Sequence, residues 1–375
     1  FATLPQGSTV IPSGTTLVAH INVPDTDHTV YTRFVELGSD LSFVENKLNT
    51  ININETGSAN YANASVENIG TEANPYLVGD KYQFDAMRNY ISADMPYFEM
   101  IDDIDMTGIA WNPLITNATN CIHFDGNDFI LSNVTSAQDQ NYQSIFGCLN
   151  GTVQNLKVDK AVMVPGGKYS GVLASHLGAA GSTVKTVVKD VIISNSTLGT
   201  AENKGTHKFG ILAGGAENGK GAEVSNITIS DCSVATTNYA GGMIAQTGCN
   251  LVISGTNQVV GTDVYGSLAG GVIGLANSLI TMSGCTYSDG TVTATSTNSG
   301  CMIASTKEVA SVISDCHVRD AVLDATAVTA EMYCGGFIGR LNTNVTVKGC
   351  SVGTEDDRVL VKLGTPAEEK RAISG

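Results

Sequence analysis

A short glycine-led phrase recurs along the second half of the 375-residue chain, and no other feature limits the fold so strongly. It reads Gly-Val-Leu-Ala from Gly171, Gly-Ile-Leu-Ala from Gly210, Gly-Met-Ile-Ala from Gly242, Gly-Val-Ile-Gly from Gly271, Cys-Met-Ile-Ala from Cys301 and Gly-Phe-Ile-Gly from Gly336. The starts lie 39, 32, 29, 30 and 35 residues apart, and an earlier relative, Ser-Ile-Phe-Gly, begins at Ser144. Each is followed by a second phrase of alternating apolar residues. Aligned on their last residues, these end at Ala161, Ser196, Cys232, Thr256, Cys285, Cys316 and Cys350. Two registers repeating together from Ser144 to Cys350 mark a repeat architecture.

The period inside each phrase is two. In Val224-Ser-Asn-Ile227-Thr-Ile229-Ser-Asp-Cys232, Ile227 and Ile229 share a face, as in a strand. Val, Ile and Thr fill the phrases, while Gly, Asn, Ser and Asp punctuate them. Helical repeats need amphipathic stripes, which are absent, and propeller blades need about 40–50 residues each. Short strands at this spacing fit a solenoid whose coils stack and bury a column that no coil could bury alone. The expected fold is all-β: a right-handed parallel β-helix. The small residue closing each second phrase then forms an internal ladder, so Cys232, Cys285, Cys316 and Cys350 read as buried free thiols. Disulfides between coils are the rival reading, open only to the last three by spacing. The nine cysteines include no C-x-x-C pair.

Residues 71–135 have a different texture. Asp80-Lys-Tyr-Gln83 is a capping-box pattern, and Phe84, Met87, Tyr90 and Ile91 follow at helical spacing, which predicts a helix of roughly 12 residues. A helix at the mouth of a solenoid covers its open core. The series Asn74-Pro-Tyr-Leu77, Asp102-Asp-Ile-Asp105, Trp111-Asn-Pro113, Phe124-Asp-Gly-Asn127, Leu131-Ser-Asn-Val134, Ile145-Phe-Gly147 and Gly151-Thr-Val-Gln-Asn-Leu156 resembles the GLUG-repeat surface proteins of gut Bacteroidetes. Asp128 stands where that pattern has Gly, Leu114 and Ile115 follow Pro113, and Ser144 replaces the first Gly of its Gly-Leu-Phe-Gly phrase. The resemblance covers about residues 71–353. It implies a pectin-lyase-like solenoid and an adhesive or structural role at the cell surface, and it brings no catalytic residue.

The expected organisation is a small β-rich region over 1–70, a linker and capping helix over 71–94, the β-helix over 95–353, and a terminal strand and tail over 354–375. In the first region Thr9–Ile11, Thr16–Ile21, His28–Leu37 and part of Leu41–Ile53 read as strands. The chain opens without Met or an apolar leader, which fits a mature protein whose signal sequence has been removed.

Lys and Arg number 20 against 36 Asp and Glu, for a net charge of −16, and no basic cluster offsets it; nucleic acid is not an expected partner. No run of 18 apolar residues predicts a membrane helix. A polysaccharide lyase needs a base and a cation, and a glycosidase needs two carboxylates on one cleft. Arg319 and Arg340 are the only arginines of the repeat before residue 358 and need not align. Asp231 and Asp315 share a position before a ladder cysteine, three coils apart by that alignment, and read as turn residues. Asp102, Asp103 and Asp105 form the densest acidic cluster. Asp103 and Asp105 are weak calcium candidates, with turn solvation as the other reading. The histidines, at 20, 28, 123, 176, 207 and 317, are scattered.

The reading is therefore a noncatalytic extracellular adhesin or scaffold that binds host protein or glycan along a rigid face, with no cofactor. The alternative is a lyase or glycoside hydrolase acting on an acidic or neutral glycan in a lateral groove. Charged residues clustered in one groove favour the enzyme; a groove of Ser, Thr and Asn favours adhesion. The loop containing Asn195–His207 is the leading candidate decoration.

Overall fold

The computed structural model describes residues 28–33, 50–55, 70–73, 75–137, 142–164, 168–200, 202–296, 298–307, 310–328, 332–342, 344–364 and 372–373. From Tyr76 onward the chain winds into a right-handed parallel β-solenoid with four sheets running along its length. One coil shows the plan. Ala222–Ser230 lies on the first face, Ser233–Ala235 on the second, Tyr239–Gly241 on the third and Ile244–Thr247 on the fourth. Leu251–Ser254 then returns to the first face beside Ala222–Ser225. Within the solenoid, strands pair in parallel with their equivalents in the neighbouring coils, so the alternating residues stack into columns. Val188 sits on Val224, and Ile193 on Ile229, all at most 1% exposed.

The glycine phrase marks the corner between the third and fourth faces. Its register differs by one residue from the sequence alignment. Gly171 and Gly210 stack on Gly241, Gly270, Gly300 and Gly335, not on Gly242, Gly271, Cys301 and Gly336. The cause is a backbone contact. A Cβ at Gly171, Gly241, Gly270 or Gly300 would run into the carbonyl oxygen three residues on, that of Ala174, Ile244, Ile273 or Ile303. None of these glycines has positive φ; close approach, not a left-handed turn, selects them.

The single expected ladder is two ladders. Leu156, Val191, Ile227, Asn257, Cys285, Cys316 and Cys350 form one, established by the flanking register. Cys232 belongs to the other, between Ser196 and Thr262. Two columns of left-handed residues explain the confusion. Asn226, Gly255, Gly284, Asp315 and Gly349 bend the chain before the first ladder; Asn195, Asp231, Gly261, Asp289 and Asp320 bend it before the second. Either bend is followed by an inward-pointing residue, so alignment on a closing small residue merges them. Asp231 and Asp315 accordingly sit in different columns, each as a left-handed bend, with φ of 53° and 51°. Cys232, Cys285 and Cys316 are buried, Cys350 is partly exposed, and all four are free thiols.

The first solenoid strand, Tyr76–Val78, pairs with Tyr97–Met100 and precedes the helix. The helix itself is shorter than its periodicity predicts: Lys81–Ala86, then a 3-10 turn over Met87–Asn89. Asp80 caps it by accepting from the Gln83 N–H at 2.8 Å. It stops because Tyr90 turns onto the Tyr76 ring, 5.0 Å away, and Ser92 bridges to Cys121. Phe84 plugs the core against Trp111 and Phe124. The Trp111 indole is fully buried and donates to the Ile145 carbonyl at 3.0 Å. In the N-terminal region His28–Arg33 pairs antiparallel with Thr50–Glu55. The strands expected at Thr9–Ile11 and Thr16–Ile21, and His20, lie outside the described residues. Leu360–Leu363 extends the second face. No helix among the described residues is long and apolar enough to cross a membrane.

Candidate functional site

The tight corner at the glycine column folds the third and fourth faces toward each other and makes a groove along the solenoid. Two rows of outward side chains line it. One row lies two residues before the column glycine and runs Tyr169, Lys208, Tyr239, Leu268, Asn298, Tyr333. The other runs His176, Gly215, Gln246, Leu275, Ser305, Arg340.

Titratable groups meet at the upper end. Lys208 Nζ donates to the Tyr169 hydroxyl at 2.6 Å, and Glu217 lies close enough to raise the pKa of the Tyr169 phenol. Glu217 Oε2 lies 3.7 Å from His176 Nε2. The Tyr169 ring centroid is 4.1 Å from that of His176. Gly215 makes this possible, since a Cβ there would press on the Tyr169 ring at 2.9 Å and on His176 Cδ2 at 3.2 Å. On its other side His176 Nδ1 faces Ser175 Oγ at 3.4 Å and Cys148 Sγ at 3.9 Å.

Burial governs the protonation of this cluster. It pushes His176 down to about 4, with Lys208 adding to the shift and Glu217 opposing it. The imidazole is thus neutral at pH 7, and its contact with Glu217 is not an ion pair. Burial, then the hydrogen bond and charge of Glu217, hold the Tyr169 phenol above its ordinary value. Burial lowers Lys208, only partly offset by Glu217. Burial also raises the Cys148 thiol, which stays protonated. Lys208, Tyr169, Glu217 and His176 thus form a compact polar cluster in a partly dry site.

Lower down, the groove opens into a cleft of about 620 Å³ lined by Tyr239, Leu268, Lys307, Tyr333, Arg340 and their neighbours. Leu268, Leu275 and Ala304 form an apolar cluster of their own, separate from the solenoid core, with Tyr239 packed on it. Arg340 lies over the Tyr333 ring, 4.9 Å from its centroid.

The sequence candidates fall elsewhere, with one exception. Asp103 accepts the Ile130 N–H at 2.8 Å, across to the next coil. Asp105 accepts from Thr107 and Asn133, and those bonds bring it down to about 2. Among the described residues no three His, Cys, Asp or Glu side chains converge to hold a metal ion. Arg319 is on the first face, whereas Arg340 lies in the groove. Sequence reasoning passed over His176, Glu217, Lys208 and Tyr169. Only Tyr169 and Lys208 carried a signal, as Tyr or Lys recurring two residues before the column glycine; His176 and Glu217 carried none.

No family model matches the chain. A protein of Evansella cellulosilytica, provisionally described as a Gly-rich membrane protein, is 33% identical over 99 residues, covering 24% of this chain and 11% of that protein. The chain thus matches only about a tenth of that relative's length. A solved chain from Bacteroides ovatus, provisionally described as an immunoglobulin A1 protease, superposes with a TM-score of 0.50 at 19% identity, over 81% of this chain and 82% of that one. The two share a parallel β-solenoid fold. Endopolygalacturonase I of Stereum purpureum aligns at 12% identity over 77% of this chain and 90% of that one, with a TM-score of 0.24, too loose to bear on function.

The noncatalytic expectation, and with it the preference against an enzyme, is corrected here. Its basis was that such a solenoid is an adhesin with no clustered charges. The fold is shared with a chain described as an immunoglobulin A1 protease, and one groove does gather Lys208, Glu217 and His176, with Arg340 farther along it.

Proposed function

We propose that the protein cleaves an acidic polysaccharide by β-elimination in the groove between the third and fourth faces. The observation that carries this reading is the Lys208–Tyr169 hydrogen bond, with Glu217 and a neutral His176 packed beside it. It lies in a groove with further cations at Lys168, Lys307 and Arg340, on a protein of net charge −16. Elimination needs a base for the proton α to the uronate carboxylate, a cation to offset the developing charge, and an acid for the leaving glycosidic oxygen. Lys208 takes the proton in its amine form, which burial favours by lowering its pKa. Tyr169, kept protonated by its surroundings, supplies one to the oxygen as the C–O bond breaks. Lys168, over the Tyr142 ring that neighbours His176, supplies the charge for the carboxylate. Glu217 and the neutral His176 ring pack beside the phenol and shape its surroundings. Hydrolysis by paired carboxylates is disfavoured because neither row of the groove nor the lining of its cleft supplies a carboxylate to pair with Glu217.

Membership among GLUG-repeat proteins, an extracellular location and a separate unit over residues 1–70 belong to this proposal. So does calcium at Asp103 and Asp105, remote from the groove. The test is incubation with uronate polysaccharides, with and without calcium, followed by ultraviolet absorbance of unsaturated uronate and by reducing-end assay. Unsaturated product that disappears in Lys208→Ala and Tyr169→Phe is expected. Reducing ends without unsaturation refute elimination, and no product from any uronate polymer sinks the reading.

A further inference from the structure

We infer that the cleft around Arg340 is a second anionic-sugar subsite, which grips the same glycan chain far from the reacting ring and sets a minimum substrate length. The inference rests on the acidic-glycan reading above. Lys307 and Arg340 face this cleft, and among the described residues neither is ion-paired with a carboxylate. Two cations left without an acidic partner in so acidic a chain make the cleft a local positive site. Arg340 is also pre-oriented. Stacked on Tyr333, a guanidinium keeps its N–H edge available in its own plane, the geometry that binds a carboxylate or sulfate through two parallel bonds.

The rest of the cleft suits a sugar ring. Leu268 and Leu275 stand side by side on one coil and give it an apolar floor outside the core, flanked by Tyr239. Asn298 and Ser305 add polar groups for hydroxyls. An apolar floor with an aromatic wall takes the C–H face of a pyranose, and the cations take its acidic substituent.

Distance separates this subsite from the chemistry. Lys208, Tyr239, Leu268, Asn298 and Tyr333 are successive members of one row, so Tyr333 is four coil steps from Lys208. At the inter-strand spacing of parallel sheets that is about 19 Å. One sugar cannot reach both ends. A chain of several can, with rings roughly following the coils.

The experiment is titration calorimetry with oligogalacturonides from dimer to octamer, in a Tyr169→Phe background, and with a sulfated oligosaccharide series of matched length. Affinity is expected to rise about tenfold or more once the oligomer spans the groove, the scale of one charge-assisted hydrogen-bond pair. Arg340→Gln should abolish that step and leave the dimer unchanged; Arg319→Gln, on the first face, should keep it. In the protein with Tyr169 intact, Arg340→Gln should raise KM on polymer and leave kcat alone. Absence of a length step in both series, or a step that survives Arg340→Gln, overturns the subsite. An Arg340-dependent step in a protein that cleaves no uronate polymer upholds the subsite and overturns the elimination reading. The series that shows the step identifies the anion as carboxylate or sulfate.

Discussion

Replacing Gly270 with Ala tests whether close backbone approach is what the repeated glycine provides. A Cβ at this position would meet the Ile273 carbonyl and, at 2.9 Å, the backbone N–H of Ala304 in the next coil. Both obstacles are main chain inside paired strands, so neither can swing away as a side chain would. Forcing an extra carbon into such a site costs about 1–3 kcal/mol, and the rigidity here places Gly270→Ala at the upper part of that range. Gly181 is the matched control. Its φ is not positive, and its nearest neighbour to an added Cβ is the Ala118 methyl at 3.6 Å, an ordinary contact. Gly181→Ala should change stability by no more than about 0.5 kcal/mol, as surface substitutions do. Urea unfolding followed by far-ultraviolet circular dichroism reads both variants. Trp111 fluorescence adds a local report from the first coils, because the chain has one Trp. Equal midpoints for the two variants would show that the column is not sterically selected, and the account of the corner would fail.

Three other outcomes follow from the same structure. Tyr287 is fully buried and donates to the Thr262 carbonyl at 2.9 Å, so Tyr287→Phe should cost about 1–3 kcal/mol in urea unfolding by leaving that oxygen unpaired. Under native conditions a thiol reagent should modify Cys148 and Cys350, which are partly exposed, well before Cys285 and Cys316; equal rates would contradict the ladder. His176 is depressed from 6.5 to about 4 by burial, so the unfolded chain binds more protons between those values. Stability should therefore be complete above about pH 6.5 and fall as pH drops toward 4, by on the order of 3 kcal/mol, and His176→Gln should flatten the profile over that window.

The fold was legible because stacking repeats its chemistry in the sequence. Alternating Val and Ile report strands, and a backbone carbonyl that excludes Cβ writes Gly at each corner. What sequence could not place was register. Gly241 and Gly242 are adjacent, and only the contact with Ile244 O shows which belongs to the column. Asn, Asp and Gly all fill the left-handed bends, so Asp231 and Asp315 looked equivalent while lying in different columns. The groove was hidden for another reason. Tyr169, His176, Lys208 and Glu217 are contributed by successive coils, and their pairing across |i−j| = 39 for Tyr169 and Lys208 exists only once the coils stack. The odd character of Leu268 and Leu275 was equally invisible, since apolar residues in a strand read as core until their side of the sheet is known.

The central claim is that glycan lies along one corner of the solenoid, and a crystal structure of Tyr169→Phe with a long oligogalacturonide tests it most directly. The account predicts a chain of rings running from Tyr169 to Arg340 between the third and fourth faces, with a carboxylate or its equivalent against Arg340 and another beside Lys168. Rings bound on the first or second face, with the corner groove left to solvent, would contradict it.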